Sequence, residues 1–259
     1  MKWLRFRHAG TEGFGTLDGD QVVVHEGTMF GAHRPIGVRQ PASQIEWLTP
    51  CEPTKMIAMW NNFRALADKN GWSQPAEPLY LLKPPSCFAA HGQAIPVPHG
   101  DVGRVTYEGE LAIVIGRRAR AVGVDQAAAH IFGYTCANDV TAVELIARDP
   151  SFPQWVRAKG CDGFGVFGPV IETELDLPGA SLRTLLGGRE RQNYPLSDMF
   201  LPPAELVSRL SHDMTLEPGD VILCGTSLGV MPMKPGTTVE VEIDGIGRLS
   251  NVYGTPAVP

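Results

Sequence analysis

The chain has no apolar run near the roughly 20 residues that a membrane span requires, and its start, Met1-Lys-Trp-Leu-Arg-Phe-Arg7, carries no apolar leader core. Secretion and membrane insertion are not expected. It also lacks a long basic stretch: nothing exceeds Arg117-Arg118-Ala119-Arg120, and the formal charge is −6, which argues against nucleic acid as the main partner. The five cysteines, Cys51, Cys87, Cys136, Cys161 and Cys224, are scattered, odd in number and free of C-x-x-C spacing. Neither a disulfide framework nor a zinc site is indicated, and a reducing cytoplasm fits. No internal repeat or low-complexity tract is visible. What remains is 259 residues, 43% hydrophobic and 19% charged, enough for one large core with a small appended domain.

Residues 1–52 read as a small β-rich N-terminal domain, with strand-like runs at Trp3-Leu-Arg-Phe6 and Val22-Val-Val24 and a hairpin signal at Asp18-Gly19. The main domain, 53–259, opens with Lys55-Met-Ile-Ala-Met-Trp60 as a buried strand, and Asn61 to Asn70 reads as a short helix ended by Gly71. Pro75, Pro78, Pro84, Pro85, Pro96 and Pro98 then favour extended backbone and loops, with Leu79-Tyr-Leu-Leu82 as a strand among them. Val124 to Ile131 is helical by its Ala run, Tyr134-Thr-Cys-Ala137 is strand-like, and a helix over Ala142 to Arg148 follows a Thr141 cap.

Glu108 and Glu110 stand out, in the run Val105-Thr-Tyr-Glu-Gly-Glu-Leu-Ala-Ile-Val-Ile115. Residues i and i+2 of a strand project to the same face, so both carboxylates point into one space. Their repulsion requires screening by water, protonation of one group, or a cation between them. The apolar continuation favours the cation, although the spacing alone fits a solvated acidic edge strand equally well. Asp139, in Asn138-Asp139-Val-Thr141, follows a strand and can supply a third oxygen. Taken singly, it is an ordinary residue before a helix. Three carboxylates with no His or Cys at ligand spacing suit Mg²⁺ or Mn²⁺ rather than Zn²⁺.

Lys159 opens a glycine-rich loop, Lys159-Gly-Cys-Asp-Gly-Phe-Gly165. It can bind an anionic oxygen or, with its pKa lowered by desolvation beside a metal, carry a proton. The loop gives little support for a dinucleotide site, because it does not follow the strand–G-x-G-x-x-G–helix pattern. In Leu216-Glu-Pro-Gly-Asp-Val-Ile-Leu-Cys-Gly-Thr-Ser-Leu-Gly229, the Gly225 amide and Thr226 hydroxyl can grip a carboxylate, or the glycines can serve geometry alone. Lys234 to Asn251 reads as a closing hairpin with Asp244-Gly245 at its turn, and Glu240 and Glu242 as its solvated face.

Five blocks in order resemble the fumarylacetoacetate hydrolase family: Y-E-G-E-L from Tyr107, A-N-D-V-T from Ala137, K-G-x-D-x-F-x-x-x-G-P from Lys159, L-x-P-G-D-V-I-x-x-G-T from Leu216, and P-G-x-x-V-x-V-x-I-x-G-x-G-x-L-x-N from Pro235. The resemblance covers 55–253. It implies an α+β fold with a β-rich rolled sandwich of mixed sheets. It also implies Mg²⁺ or Mn²⁺ on Glu108, Glu110 and Asp139, a 1,3-dicarbonyl or 2-oxo acid substrate, Lys159 near the substrate oxygens, and homodimers.

Hydrolases of that family usually carry N-Y-x-x-H-x-x-E in the lid, where His and Glu activate the attacking water. Here the stretch is Asn62-Phe-Arg-Ala-Leu-Ala-Asp-Lys69, so Leu66 stands for the His and Lys69 for the Glu. Asp68 serves as a base only if the lid helix shifts by about a residue, which turns a side chain by about 100°. The lid is more similar to the branch containing the isomerase and decarboxylase of homoprotocatechuate degradation, whose substrates are 2-oxo or 2-hydroxydienoic diacids. Those reactions need enolate stabilisation by a chelating cation and one relocated proton, from Lys159 or a bound water. Arg64 and Lys83 are candidates for the distal carboxylate. The alternatives are a C–C hydrolase with its base from Asp68 or His91, a hydratase or lyase, and a non-catalytic metal-binding relative.

Overall fold

Alternating apolar residues make the first strand, with Trp3, Leu4 and Phe6 buried. The computed structural model describes residues 1–256. Strands β1 (Lys2–His8), β2 (Thr11–Asp18), β3 (Gln21–Gly27) and β4 (His33–Pro41) form an antiparallel meander, and β5 (Glu46–Trp47) pairs with part of β1. The hairpin at Asp18-Gly19 is present: Asp18 pairs with Gln21, and Gly19 takes φ 61°, a backbone conformation that glycine adopts readily.

β6 (Met56–Trp60) is the buried strand expected there. The helix after it, α1 (Arg64–Asn70), starts later than expected. Asn61 is left-handed at φ 55°, and the Asn62 side chain donates to the carbonyls of Leu201 and Cys224. Gly71, at φ 68°, ends α1 by donating to the carbonyls of Ala67 and Asp68. β7 (Leu79–Lys83), β8 (Phe88–Ala89), β9 (Ile95–Val97) and β10 (Val105–Thr106) are short, as the prolines require. β11 (Gly109–Ile115) is buried along its whole length, with Leu111, Ile113 and Ile115 in one core and Ala112 and Val114 in the other.

The Ala run gives α2 (Val124–Ala127) and a 3₁₀ turn, after which β12 (Ile131–Asp139) extends past the expected strand to end on Asp139. Thr141 is not a helix cap. It lies in β13 (Thr141–Ala142), and α3 (Val143–Ile146) is one turn long. α4 (Trp155–Lys159) ends on Lys159, so that lysine sits on a helix rather than in the glycine loop. β14 (Gly165–Glu172), β15 (Ser181–Leu186), β16 (Arg189–Pro195), α5 (Pro203–Asp213), β17 (Val221–Leu223), β18 (Thr237–Ile243) and β19 (Gly247–Pro256) complete the chain. Glu240 and Glu242 pair with Arg248 across the last hairpin, as a solvated face does.

The main sheet runs β4-β3-β2-β1-β14-β12-β11-β17-β6-β7, with β8 beside β14. It is mixed: β17/β6 and β14/β8 are parallel and the other pairs antiparallel. The N-terminal strands continue this sheet through β1 and β14, where Trp3 pairs with Ile171. Because the chain takes one short step from edge strand β7 to β8 on β14, the sheet between them rolls up. Met56, Ala58, Ala112, Val114, Ala137 and Phe167 pack inside the roll. Its outer face stacks on the second sheet, β16-β15-β18-β19-β9, through residues such as Ile113, Leu182, Val241 and Leu249. The result is the β-rich rolled mixed-sheet sandwich expected. No helix among the described residues is long and apolar enough to cross a membrane.

The layers approach closely at Gly109, where a Cβ would lie 2.1 Å from Thr184 Oγ1 and 3.2 Å from Leu182 Cδ2. Only glycine fits. Gly109→Ala should therefore destabilise the fold by about 2–3 kcal/mol, read as a lowered urea midpoint at unchanged m-value. Thr184→Ala in the same chain should restore part of the loss; an unshifted midpoint in the single variant would show that the layers yield there.

Candidate metal centre

Glu108, Glu110 and Asp139 converge, each offering one oxygen within 4.8 Å of the others. Sheet register makes this possible. Gly109 pairs with Asn138 and Glu110 with Ala137, and the Asp139 amide donates to the Glu108 carbonyl at 2.9 Å, so the glutamates and the aspartate meet at one end of adjacent strands. Glu110 and Asp139 are buried and Glu108 is half-buried, which puts the opening on the Glu108 side.

Gly109, between the glutamates, is clamped on both peptide groups. Its amide donates to Gln192 Oε1 at 3.0 Å, and its carbonyl accepts from the Tyr194 hydroxyl at 2.6 Å and the Thr226 hydroxyl at 2.9 Å. Asn138 Oδ1 accepts from the Glu108 amide at 3.0 Å. With its backbone held this way, the pair of glutamates keeps a fixed aim.

Two lysines meet the carboxylates. Lys83 Nζ donates to Asp139 Oδ1 at 2.5 Å, while Lys159 Nζ donates to Asp139 Oδ2 at 2.6 Å, Glu108 Oε2 at 2.8 Å and the Thr141 hydroxyl at 2.7 Å. The Thr141 hydroxyl in turn donates to Glu108 Oε1 at 3.1 Å. Burial alone would raise the Asp139 carboxyl, but Lys159 and then Lys83 hold it below its ordinary value. Burial alone would likewise lower the Lys159 ammonium, yet Asp139, Glu108 and Glu110 hold it above its ordinary value. In the metal-free protein three carboxylates outweigh desolvation, whereas the lowering expected from the sequence is for a lysine beside a bound cation. Glu110 goes the other way: burial, then Asp139 and Glu108, push its carboxyl well above the usual range against Lys159 and the Gly225 amide.

A divalent cation fits this arrangement. Glu110 Oε2 accepts from the Gly225 amide at 2.6 Å, but Glu110 Oε1 is buried without a hydrogen-bond partner. A buried carboxylate oxygen without a donor is costly, and a cation satisfies it. Two ammoniums face three carboxyl groups here. A dication with all three ionised would leave one net positive charge, which suits an anionic ligand.

Residues 55–253 match the model described as fumarylacetoacetate (FAA) hydrolase C-terminal, and residues 1–50 match Rv2993c-like, N-terminal. The chain belongs to the fumarylacetoacetate hydrolase family. Within that family, the structure of 5-carboxymethyl-2-hydroxymuconate delta-isomerase from Mycobacterium smegmatis superposes with a TM-score of 0.91 at 36% identity, covering 98% of this chain and 99% of that one. The mitochondrial oxaloacetate tautomerase of Arabidopsis thaliana is 36% identical over 76% of this chain and 89% of its own. The 4-hydroxyphenylacetate degradation bifunctional isomerase/decarboxylase of Salmonella dublin is 35% identical over 76% of this chain and 46% of its own.

The remaining candidates in this family member lie as follows. Lys83 is not at a substrate's distal carboxylate: it is fully enclosed, pinned between Asp139 and the Lys159 carbonyl at 2.5 Å. Arg64 is exposed at the start of α1, bonded to the Met199 carbonyl and lying 5.1 Å from the Phe200 ring centre. The Gly225 amide grips a carboxylate of the protein itself, Glu110, and Thr226 holds Gly109 and accepts from Gln192 Nε2 at 2.9 Å. On α1, Leu66 is half-buried and Asp68 and Lys69 are exposed. His91 accepts from the Ser250 amide at 3.1 Å and packs edge-on against Trp47. Sequence reasoning missed Gln192 and Tyr194, whose strand bore no motif, and assigned Thr141 and Asn138 no part in the site.

A group whose folded pKa is raised contributes stability below its unfolded pKa and loses it as pH rises through the folded value. Metal-free protein at neutral pH therefore carries the cost of Glu110. Glu110→Gln, which keeps the neutral form, should raise the metal-free Tm, by about 2–4 °C for each kcal/mol recovered. It should also abolish the Tm gain on adding Mg²⁺ or Mn²⁺, both read by scanning fluorimetry. A metal-induced gain equal to wild type would remove Glu110 from the ligand set.

Proposed function

We propose that this protein is a cytoplasmic Mg²⁺- or Mn²⁺-dependent isomerase or decarboxylase of a 2-oxo or 2-hydroxydienoic diacid, working as a homodimer. Glu108, Glu110 and Asp139 hold the cation, and residues 1–52 form an appended β unit outside the site. The observation that carries the reading is the buried, donorless Glu110 oxygen facing two other carboxylates, with a charged lysine at the same place and no His/Glu pair on α1. The isomerase, decarboxylase and tautomerase names of its relatives support it.

When bound, the cation supplies Lewis acidity toward the 2-oxo and carboxylate oxygens. The chain's own residues do the rest. Lys83, out of contact with solvent, orients Asp139 and fixes the end of α4 through the Lys159 carbonyl. Lys159, hydrogen-bonded to Glu108 and Asp139, places Nζ as a proton donor beside the half-open Glu108 side. A donor suits relocation of a proton onto substrate carbon or enolate oxygen better than abstraction of one from water. Arg64, an exposed residue at the start of α1, is left as a contact for a distal carboxylate.

Metal-loaded wild type and a Glu108→Ala/Glu110→Ala variant should be compared on oxaloacetate, acylpyruvates and hydroxyheptadienedioate, following CO₂, pyruvate and enol absorbance. Wild type should give metal-dependent CO₂ release or enol–keto conversion without C–C hydrolysis, and the variant should lose about 10²–10³-fold or more. Pyruvate release from acylpyruvates would replace this reading with a hydrolase. Lys159→Met should retain metal binding while kcat falls by about 10²-fold or more, as for loss of a general acid.

A further inference from the structure

Gly225, whose amide holds Glu110, is packed against the end of β6: a Cβ there would lie 3.3 Å from Asn62 Cβ and 3.6 Å from the Met59 carbonyl oxygen. Trp60, between those two residues, is therefore level with Glu110, about two strand spacings or roughly 10 Å away. Sheet register agrees. Leu223 pairs with both Ala112 of β11 and Ala58 of β6, and two residues further on the same level passes from Glu110 through Gly225 to Trp60, then to its partner Leu79. Trp60 shares its sheet face with Ala58, which lines the inside of the roll as Ala112 and Ala137 do.

The other wall comes from α4. Trp155 lies one helical turn before Lys159 on the same helix face, and its ring stands 6.1 Å from that of Trp60. Together with Pro78, Leu79, Tyr80 and Leu81, these tryptophans line a groove of about 400 Å³. The groove is thus bracketed by Trp60, level with Gly225 and Glu110 in the sheet, and by Trp155, on the helix that carries Lys159. Its lining carries no charge, and its polar side-chain groups are the Tyr80 hydroxyl and the two indole N–H groups.

We infer that this groove holds an apolar, ring-sized tail of the substrate whose 2-oxo-acid head sits at Glu108, Glu110 and Asp139, with Trp60 as a specificity-determining residue. The inference rests on the cation-bound 2-oxo-acid head proposed above and departs from the diacid only at the far end, where an apolar group in this groove takes the place of the second carboxylate. A volume of this size accommodates a ring with its linking carbons, and flat aromatic walls select rings over short polar chains.

The test uses the metal-loaded enzyme with two probes that share a head, 2,4-dioxopentanoate with a methyl tail and 2,4-dioxo-4-phenylbutanoate with a phenyl tail. Calorimetry gives Kd, enol absorbance gives KM and kcat, and light scattering gives oligomeric state. Wild type should favour the phenyl probe by about tenfold or more, the scale of selectivity that apolar pockets reach. Trp60→Ala should remove most of that preference, through KM and Kd rather than kcat. Leu79→Asn, at a position 41% exposed where folding is not at stake, should weaken it in the same direction. Equal affinities in wild type, or a preference unchanged in both variants, would overturn the inference and leave the functional reading standing. An unchanged preference accompanied by loss of a dimer would overturn it in favour of a second copy of the chain covering the groove. No binding of either probe to metal-loaded wild type would overturn the inference, and the functional reading falls with it only if oxaloacetate and hydroxyheptadienedioate also fail to bind.

Discussion

Three carboxyl groups share one buried space, and the rest of the site is arranged around keeping them there. Like charges so close, with little water, repel by several kcal/mol even at an effective dielectric of about 20. The fold answers the repulsion three ways at once. Asp139 is neutralised by two ammoniums, Glu108 shares one of them and keeps some contact with solvent, and Glu110 is left with a single backbone donor. The asymmetry is informative. An arrangement built only for stability would supply a donor to Glu110 Oε1, whereas one built for a cation leaves that oxygen bare.

The roll of the sheet makes the asymmetry possible. Lys83 stands on edge strand β7, Asp139 on β12, and their contact spans the interior that the short β7–β8 step closes. A flat sheet would hold those strands far apart, since each step between neighbours adds about 4.8 Å. Gly109 contributes from the opposite side. Its missing side chain lets β11 touch the second sheet, whose Gln192 and Tyr194 then fix the peptide groups between the two glutamates. Cation position, lysine placement and sheet packing therefore depend on one another, and damage to one layer is felt at the centre.

Much of this was legible in the sequence, for identifiable reasons. The E-x-E pair is read by strand periodicity, Asp139 by its place at a strand end, and the strands by apolar runs between glycines and prolines. What escaped notice depends on contacts distant in sequence. Gln192 and Tyr194 lie in a strand of ordinary composition, and only sheet stacking brings them to Gly109. Thr141 looked like a cap because Thr before an Ala-rich stretch often is one; the tertiary pull of Glu108 and Lys159 on its hydroxyl overrides that local preference. Lys83 reads as a candidate for a distal carboxylate, since nothing local shows that the chain there turns inward to meet Asp139.

The segment from Asn62 through α1 is firmly seated. Phe63 and Ala67 are buried, Phe63 bridges to Met199, and the Asn62 side chain makes bonds to both backbone groups of Leu201 and to Cys224. The Ala65 amide, in the first turn of α1, donates to Asp198 Oδ2 at 3.0 Å. Moving Asp68 into the position of a water-activating base by a one-residue shift would withdraw Phe63 from its site, at about 1.5–3 kcal/mol. It would also strand the partners of Asn62, each buried group costing about 1–3 kcal/mol. The sum is comparable to the whole stability of a typical domain. Asp68 therefore reaches the position of such a base only through a different sequence, not through a different register of this helix.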